Sequence, residues 1–258
     1  MGRNGARALL WATVVTGSTG IAFGQPLENI GNAGQIVFGA ERLTGVYHDE
    51  VTVKQEVPAD PTTGRPGVTM ESTSKSTTIG VFGQNALTPS LFLNSASSVP
   101  RLALDYFVTD GLSVGGSFVF LTRSGVSEIE NDPTQQDQPT LSTLVVNPRV
   151  GYAYAFDETF GIWPRLGFIY ERDWSKSESN GTQSVSRKTS VQYMTIGLDV
   201  PFFISPMKHF AILIGPYFDL GVAGNRHTET DAAGAVSTPD SDAKYISYGA
   251  STGVVGYF

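Results

Sequence analysis

The sequence predicts an all-β fold: an eight-stranded antiparallel transmembrane β-barrel of up-and-down topology, with short periplasmic turns and long extracellular loops. Three observations carry this. Apolar residues keep one parity through seven separate windows, the connections between the windows alternate between short and long, and an export leader precedes a chain with no apolar run long enough for a helical span.

The leader comes first. MGRNGARALLWATVVTGSTGIAFG carries Arg3 and Arg7 and no acid, then the apolar stretch ALLWATVV, then Ala22 and Gly24 at the −3 and −1 positions before Gln25. This is the three-part layout of a secretory signal peptide over residues 1–24. Residues 25–34 then form a short periplasmic segment, and residues 35–258 form the barrel.

The strands follow in order. The first, QIVFGAERLTGVY (35–47), is the least regular, because Arg42 falls on the apolar parity. A bulge or strand end is expected there, with Glu41 facing inward. The other seven windows are 102–108, 112–122, 144–156, 160–170, 192–202, 210–222 and 246–258. Together they hold 43 even positions, none of them Asp, Glu, Lys or Arg. At the chain-wide charged fraction of 16% about seven would be expected, and a charge facing lipid at the bilayer midplane costs about 2–4 kcal/mol. A helix could not hold one parity for so long.

Three tight connections fall at Thr109-Asp110-Gly111, Asp157-Glu158-Thr159 and Ser205-Pro206-Met207-Lys208. The long ones are 48–99, 124–142, 175–188 and 223–243. The first contains an alternating piece, SKSTTIGVFGQ (74–84), read as an extracellular hairpin extension. A ten-stranded barrel is the rival reading. A Pro-Arg entry to a strand recurs at 100–101, 148–149 and 164–165, which is hairpin repetition rather than a solenoid.

A soluble, lipocalin-like barrel would turn the apolar face inward around a lipophile. The membrane reading prevails because that face is free of charge and carries bulky aromatics near both strand ends. Tyr106, Phe156, Phe160, Phe202, Phe210 and Phe258 gather at one end, and Phe120, Tyr170, Phe218 and Tyr248 at the other. The opposite parity is small and charged, which suits a narrow interior filled by side chains.

The ending GASTGVVGYF, alternating and closed by Phe258, resembles the C-terminal assembly signal of outer-membrane β-barrel proteins. With the leader and the hairpin PRLALDYFVTDGLSVGGSFVF (100–120), the chain resembles the small OmpA/OmpX-type barrels of Gram-negative bacteria. The resemblance implies residence in the outer membrane, contact with its lipid and lipopolysaccharide, and delivery to the barrel assembly machinery through the C-terminal strand. It implies little about activity, since the family is functionally mixed.

The interior charges are the first functional candidates. Arg101, Arg123, Arg149 and Arg165 would face Glu41, Asp105, Glu171, Asp199 and Asp219. They read as a structural network filling the lumen, with an ion path as the alternative. His48 and His227 lie near outside strand ends, where a lipid A-modifying enzyme would hold a histidine and a serine. No His-x-Ser-Asn segment occurs, and both read as solvated. Glu128, Glu130, Asp132 and Asp137 in one loop, and Glu229, Asp231, Asp240 and Asp242 in another, read as acidic surface without calcium-loop spacing. The absence of cysteine excludes disulfides and thiol chemistry, and the net charge of −7 argues against nucleic acid as a partner. No catalytic, metal or cofactor motif appears. The expected role is non-enzymatic, structural or in surface interaction. The alternatives are a narrow porin-like channel and a lipid A-modifying enzyme.

Overall fold

The computed structural model describes residues 30–57, 66–81, 99–127, 136–180, 184–232, 235–237 and 240–258, so the leader at 1–24 lies outside it. Eight staves close into a barrel. They are β1 (Ile36–Val57), β3 (Arg101–Phe107), β4 (Leu112–Ser127), β5 (Gln136–Tyr152), β8 (Arg165–Asn180), β9 (Ser184–Asp199), β11 (Phe210–Ala232) and β13 (Asp240–Tyr257). Each pairs antiparallel with the next, and β13 pairs with both β11 and β1, which completes the ring. Three short pieces extend staves downward where Ala153, Trp163-Pro164 and Val200-Pro201 interrupt them: β6 (Tyr154–Ala155), β7 (Phe160–Ile162) and β10 (Phe202–Met207). Two more, β2 (Val68–Val81) and β12 (Ala235–Ser237), pair with β1 and β11.

Parity decides which side chain goes where, since successive residues of a strand face opposite sides of the sheet. In β3 the burial alternates without a break from Arg101 to Phe107, odd residues in and even residues out. Leu102 is 71% exposed and Leu104 59%, whereas Arg101 and Asp105 are each 2% exposed. Val114, Phe118, Val150, Leu166, Phe168, Ile196, Leu198 and Ile214 continue the exposed apolar face around the wall. The apolar residues therefore lie outside and the charges inside, the reverse of a soluble barrel.

Two of the three tight turns fall where turn chemistry places them. Gly111 adopts φ +80° after Asp110. The Asp157 carboxylate accepts hydrogen bonds from the backbone N–H groups of Thr159 and Phe160, both at 2.7 Å. The third turn is displaced. Rather than spanning Ser205–Lys208, strand β10 runs on through Met207, and the chain reverses at Lys208-His209 with His209 at φ 66°. Pro206 cannot donate to a ladder, and a register shift between Ile204 and Met207 absorbs it.

The long connections are shorter than the sequence suggests. The stretch 48–99 is not loop throughout: β1 continues to Val57 and pairs with β2 from Thr44↔Val81 up to Val57↔Val68. Similarly, β4 and β5 pair out to Ser127↔Gln136, and β8 and β9 out to Asn180↔Ser184. In β2 every residue from Val68 to Thr77 is exposed, so no buried face marks that part of the extension by alternation.

Inside, the side chains form layers. The lower mouth is stoppered by Ile30, Phe107, Trp163, Phe203, Leu213 and Tyr257, all buried. Ile30 is held there because Gly31 accepts from the Gly111 N–H and the Gln35 side chain accepts from Gly31 and Asn32. Above the charged layer come Val99, Val119, Val145 and Ile169, then Val51, Tyr193, Ala243 and Tyr245.

Candidate functional site

The charged layer begins with a backbone irregularity. The β1–β13 register jumps from Ala40↔Val254 to Thr44↔Thr252, so Glu41, Arg42 and Leu43 oppose the single residue Gly253. Arg42 takes φ 54°, and both it and Glu41 turn inward, 3% and 5% exposed. Gly253 makes the crowding possible, since a Cβ there would stand 2.9 Å from the Ala40 carbonyl oxygen.

From this bulge an alternating chain of charges crosses the lumen. Arg149 donates from Nε and Nη2 to the two carboxylate oxygens of Asp105, at 3.0 and 2.5 Å, and from Nη1 to Glu41 at 2.6 Å. Arg165 donates to the other Glu41 oxygen, and its Nη2 lies 3.9 Å from Asp199. Arg42 donates to Asp199 at 3.2 Å and to Asp219 at 2.9 Å, with its guanidinium 4.2 Å above the Tyr217 ring. Seven groups from six staves are thereby tied into one run: Asp105, Arg149, Glu41, Arg165, Asp199, Arg42 and Asp219. Arg101, paired in register with Glu41, stands in the field of Asp219, Asp199 and Glu171. Forked guanidiniums matched to carboxylates are the arrangement that offsets desolvation best.

Of the residues singled out by sequence, Glu41, Arg101, Asp105, Arg149, Arg165, Glu171 and Asp219 are all buried, and Asp199 is 14% exposed at its side chain. Arg123 belongs to β4 opposite Leu141, and its side chain lies outside the description. Sequence reasoning missed Arg42 as a member of the network. The signal was present, since a cation on the lipid parity beside an inward acid has to be turned in by a bulge. It also missed Asp49, which is 4% exposed and accepts from the Tyr245 hydroxyl at 3.1 Å.

The outward face changes character near Phe120, Tyr170, Met194 and Ile246, above which Thr122, Arg172 and Lys244 are exposed. His48 stands at this boundary, its Nδ1 2.8 Å from the Thr77 hydroxyl and its ring 4.8 Å from that of Tyr248. His227 lies opposite Ser190 on the β9–β11 ladder. Just inside the rim, Asp173 accepts from the Thr143 hydroxyl at 2.5 Å, and burial pushes its carboxyl up to about 6 against the hydrogen bonds with Thr143 and Glu171. Of the acidic loops, Glu128, Glu130 and Asp132 lie outside the described residues, as do the side chains of Asp137, Asp231 and Asp240. Phe258 faces outward at the lower end, stacked on Phe38 at 5.7 Å and on His209 at 5.4 Å.

No family model matches the chain, and no curated protein matches it in sequence. Among solved structures it is similar to Ail, the attachment invasion locus protein of Yersinia pestis, with 13% identity, 86% of this chain and 99% of that one covered, and a TM-score of 0.33. The outer membrane protease OmpT of Escherichia coli has 8% identity, 87% and 97% coverage and a TM-score of 0.39. A major outer membrane protein from Thermus thermophilus has 12% identity, 85% and 99% coverage and a TM-score of 0.43. The assignment of a closed eight-stranded barrel rests on the strand pairing of this chain itself.

Proposed function

We propose that the chain is an outer-membrane β-barrel protein of the small OmpA/OmpX-type kind in a Gram-negative bacterium. In this reading it acts without chemistry, as a structural or surface-interacting protein whose lumen is filled by its own side chains. The observation that carries the membrane part is the orientation of the wall, with exposed leucines and phenylalanines outside and buried arginines inside. Aromatic residues cluster at the lower outer edge, where Phe156, Phe160 and Phe202 stack in series at 5.4 and 5.7 Å.

The filled lumen favours a plug over a pore. The apolar stopper around Ile30 and Trp163 and the ion-paired layer above it leave conduction nowhere to pass without moving buried groups. Surface interaction then belongs to the strand extensions beyond the membrane. The C-terminal strand, ending in outward Phe258, is read as the segment offered to the assembly machinery. Planar-bilayer recording of the folded protein tests the plug: a flat baseline is expected, and a steady unitary current would overturn it.

A further inference from the structure

We propose that the outer edge of β2, from Val68 to Thr77, takes an extended segment of another protein as an added antiparallel strand. The inference rests on the surface-interaction reading above and names the kind of partner it serves.

β2 is the end strand of a sheet continuous with the barrel wall. It ladders with β1, and β1 ladders with β13 on its other side as far as Lys54↔Asp242. Among the described residues β2 has no second strand partner, and every residue from Val68 to Thr77 is exposed. Such an edge presents a row of backbone N–H and C=O groups at strand spacing, and an extended polypeptide backbone is the chemistry that matches the whole row. The template is already fixed in place. The Thr73 hydroxyl lies 3.0 Å from that of Thr52, and the Thr77 hydroxyl 2.8 Å from His48 Nδ1.

Side chains select the partner. Glu71, Thr73 and Lys75 share one face of the strand. Lys75 meets Glu50 at 2.9 Å yet keeps 61% of its side chain exposed, and Glu71 meets Lys54 at 3.0 Å yet keeps 51% exposed. An added strand therefore favours an acid opposite Lys75 and a base opposite Glu71, since unlike charges stabilise a cross-strand pair. On the other face Val68 and Met70 are exposed and favour apolar neighbours. Antiparallel pairing is the more stable ladder per residue. In that direction the partner reads acid, any, β-branched, any, base, apolar, any, apolar.

A second copy in the same membrane is the wrong occupant. Two such copies are related by an axis along the membrane normal, so their β2 strands run the same way. In register this sets Lys75 beside Lys75 and Glu71 beside Glu71, and like charges directly opposite are destabilising. The charges on this edge guard against self-pairing and leave it open to a partner of the stated order.

Titration of the folded mature protein in nanodiscs with a labelled peptide of that order tests this, against a control peptide with the acid and the base exchanged. The first should bind with a Kd below about 1 mM, and about tenfold more tightly than the control. The variant E50K/K54E/E71K/K75E keeps each acid opposite a base within the β1–β2 hairpin and should reverse the preference. Methylating alternate backbone nitrogens of the peptide should abolish binding in one phase and spare it in the other, because successive N–H groups of a strand point to opposite sides. No binding, equal binding of the two peptides, an unreversed preference in the folded variant, or tolerance of both methylated phases would overturn the proposal. Disulfide cross-linking of T73C between copies in one membrane would assign the edge to a second copy and overturn it as well. Heat-modifiable migration checks that each variant is folded, and the methylated peptides test the parent without any variant. Flotation with vesicles separates the two readings: failure to float sinks both, whereas flotation without the peptide preference sinks this one alone.

Discussion

At the scale of single residues, the buried ion pairs dominate the energetics. Arg149 serves two acids at once, so Arg149→Leu strands both Glu41 and Asp105 without a forked partner. A loss of about 3–5 kcal/mol is expected in urea unfolding from detergent micelles. The double variant R42L/D219L removes both partners of the pair and should be less destabilised than Arg42→Leu alone. A double variant that is worse than the single one would count against pairing as the function of these groups. Asp173 gives a pH signature. Its folded-state carboxyl, raised to about 6, holds a proton that the unfolded chain releases at its ordinary value near 3.8. The folded form therefore binds more protons between these values, and stability from this group falls as pH rises through that window, then levels off. Asp173→Asn should remove that component of the slope, read from urea midpoints between pH 4 and 7. An unchanged slope would show that Thr143 and Glu171, not burial, govern the carboxyl.

At the scale of elements, the β1 bulge and the N-terminal stopper are the parts with a defined task. Gly253→Val puts a side chain against Ala40 and Glu41 and should push the bulge apart, losing stability and the inward pose of Arg42 together. Ile30→Ala thins the stopper beneath Phe107 and Trp163, and a loss of about 2–5 kcal/mol is expected by the same urea assay. A loss near zero would mean that the residues before β1 do not seal the mouth. The membrane-spanning parts of the staves were legible in the sequence because one face is constrained by lipid and the other by a crowded lumen. Of the strand pairing beyond it, the alternating piece at 74–84 was legible as a hairpin extension and overlaps β2, whereas the exposed Val68–Ser74 half of β2 has no buried face to mark it. The turn at Lys208-His209 was misplaced for a related reason: Pro206 looks like a turn residue, yet a bulge carries it within β10. Arg42 was legible only as an anomaly, a charge on the forbidden parity, and the bulge that resolves it depends on Gly253 across the ladder.

At the scale of the whole molecule, everything depends on which side of the wall meets lipid. The sequence lacks cysteine, so single cysteines can be placed at will. The decisive measurement is spin-label accessibility at Leu104, Val150, Leu166 and Ile196 compared with Ser117, Thr195 and Ser247, in the protein reconstituted into vesicles. The first group faces outward and the second is buried within the barrel. Labels on the first group should be open to molecular oxygen, which concentrates in hydrocarbon, and closed to an aqueous nickel chelate. Labels on the second should be closed to both. Free access of the nickel chelate to the first group would place the apolar face in water and contradict the membrane barrel outright.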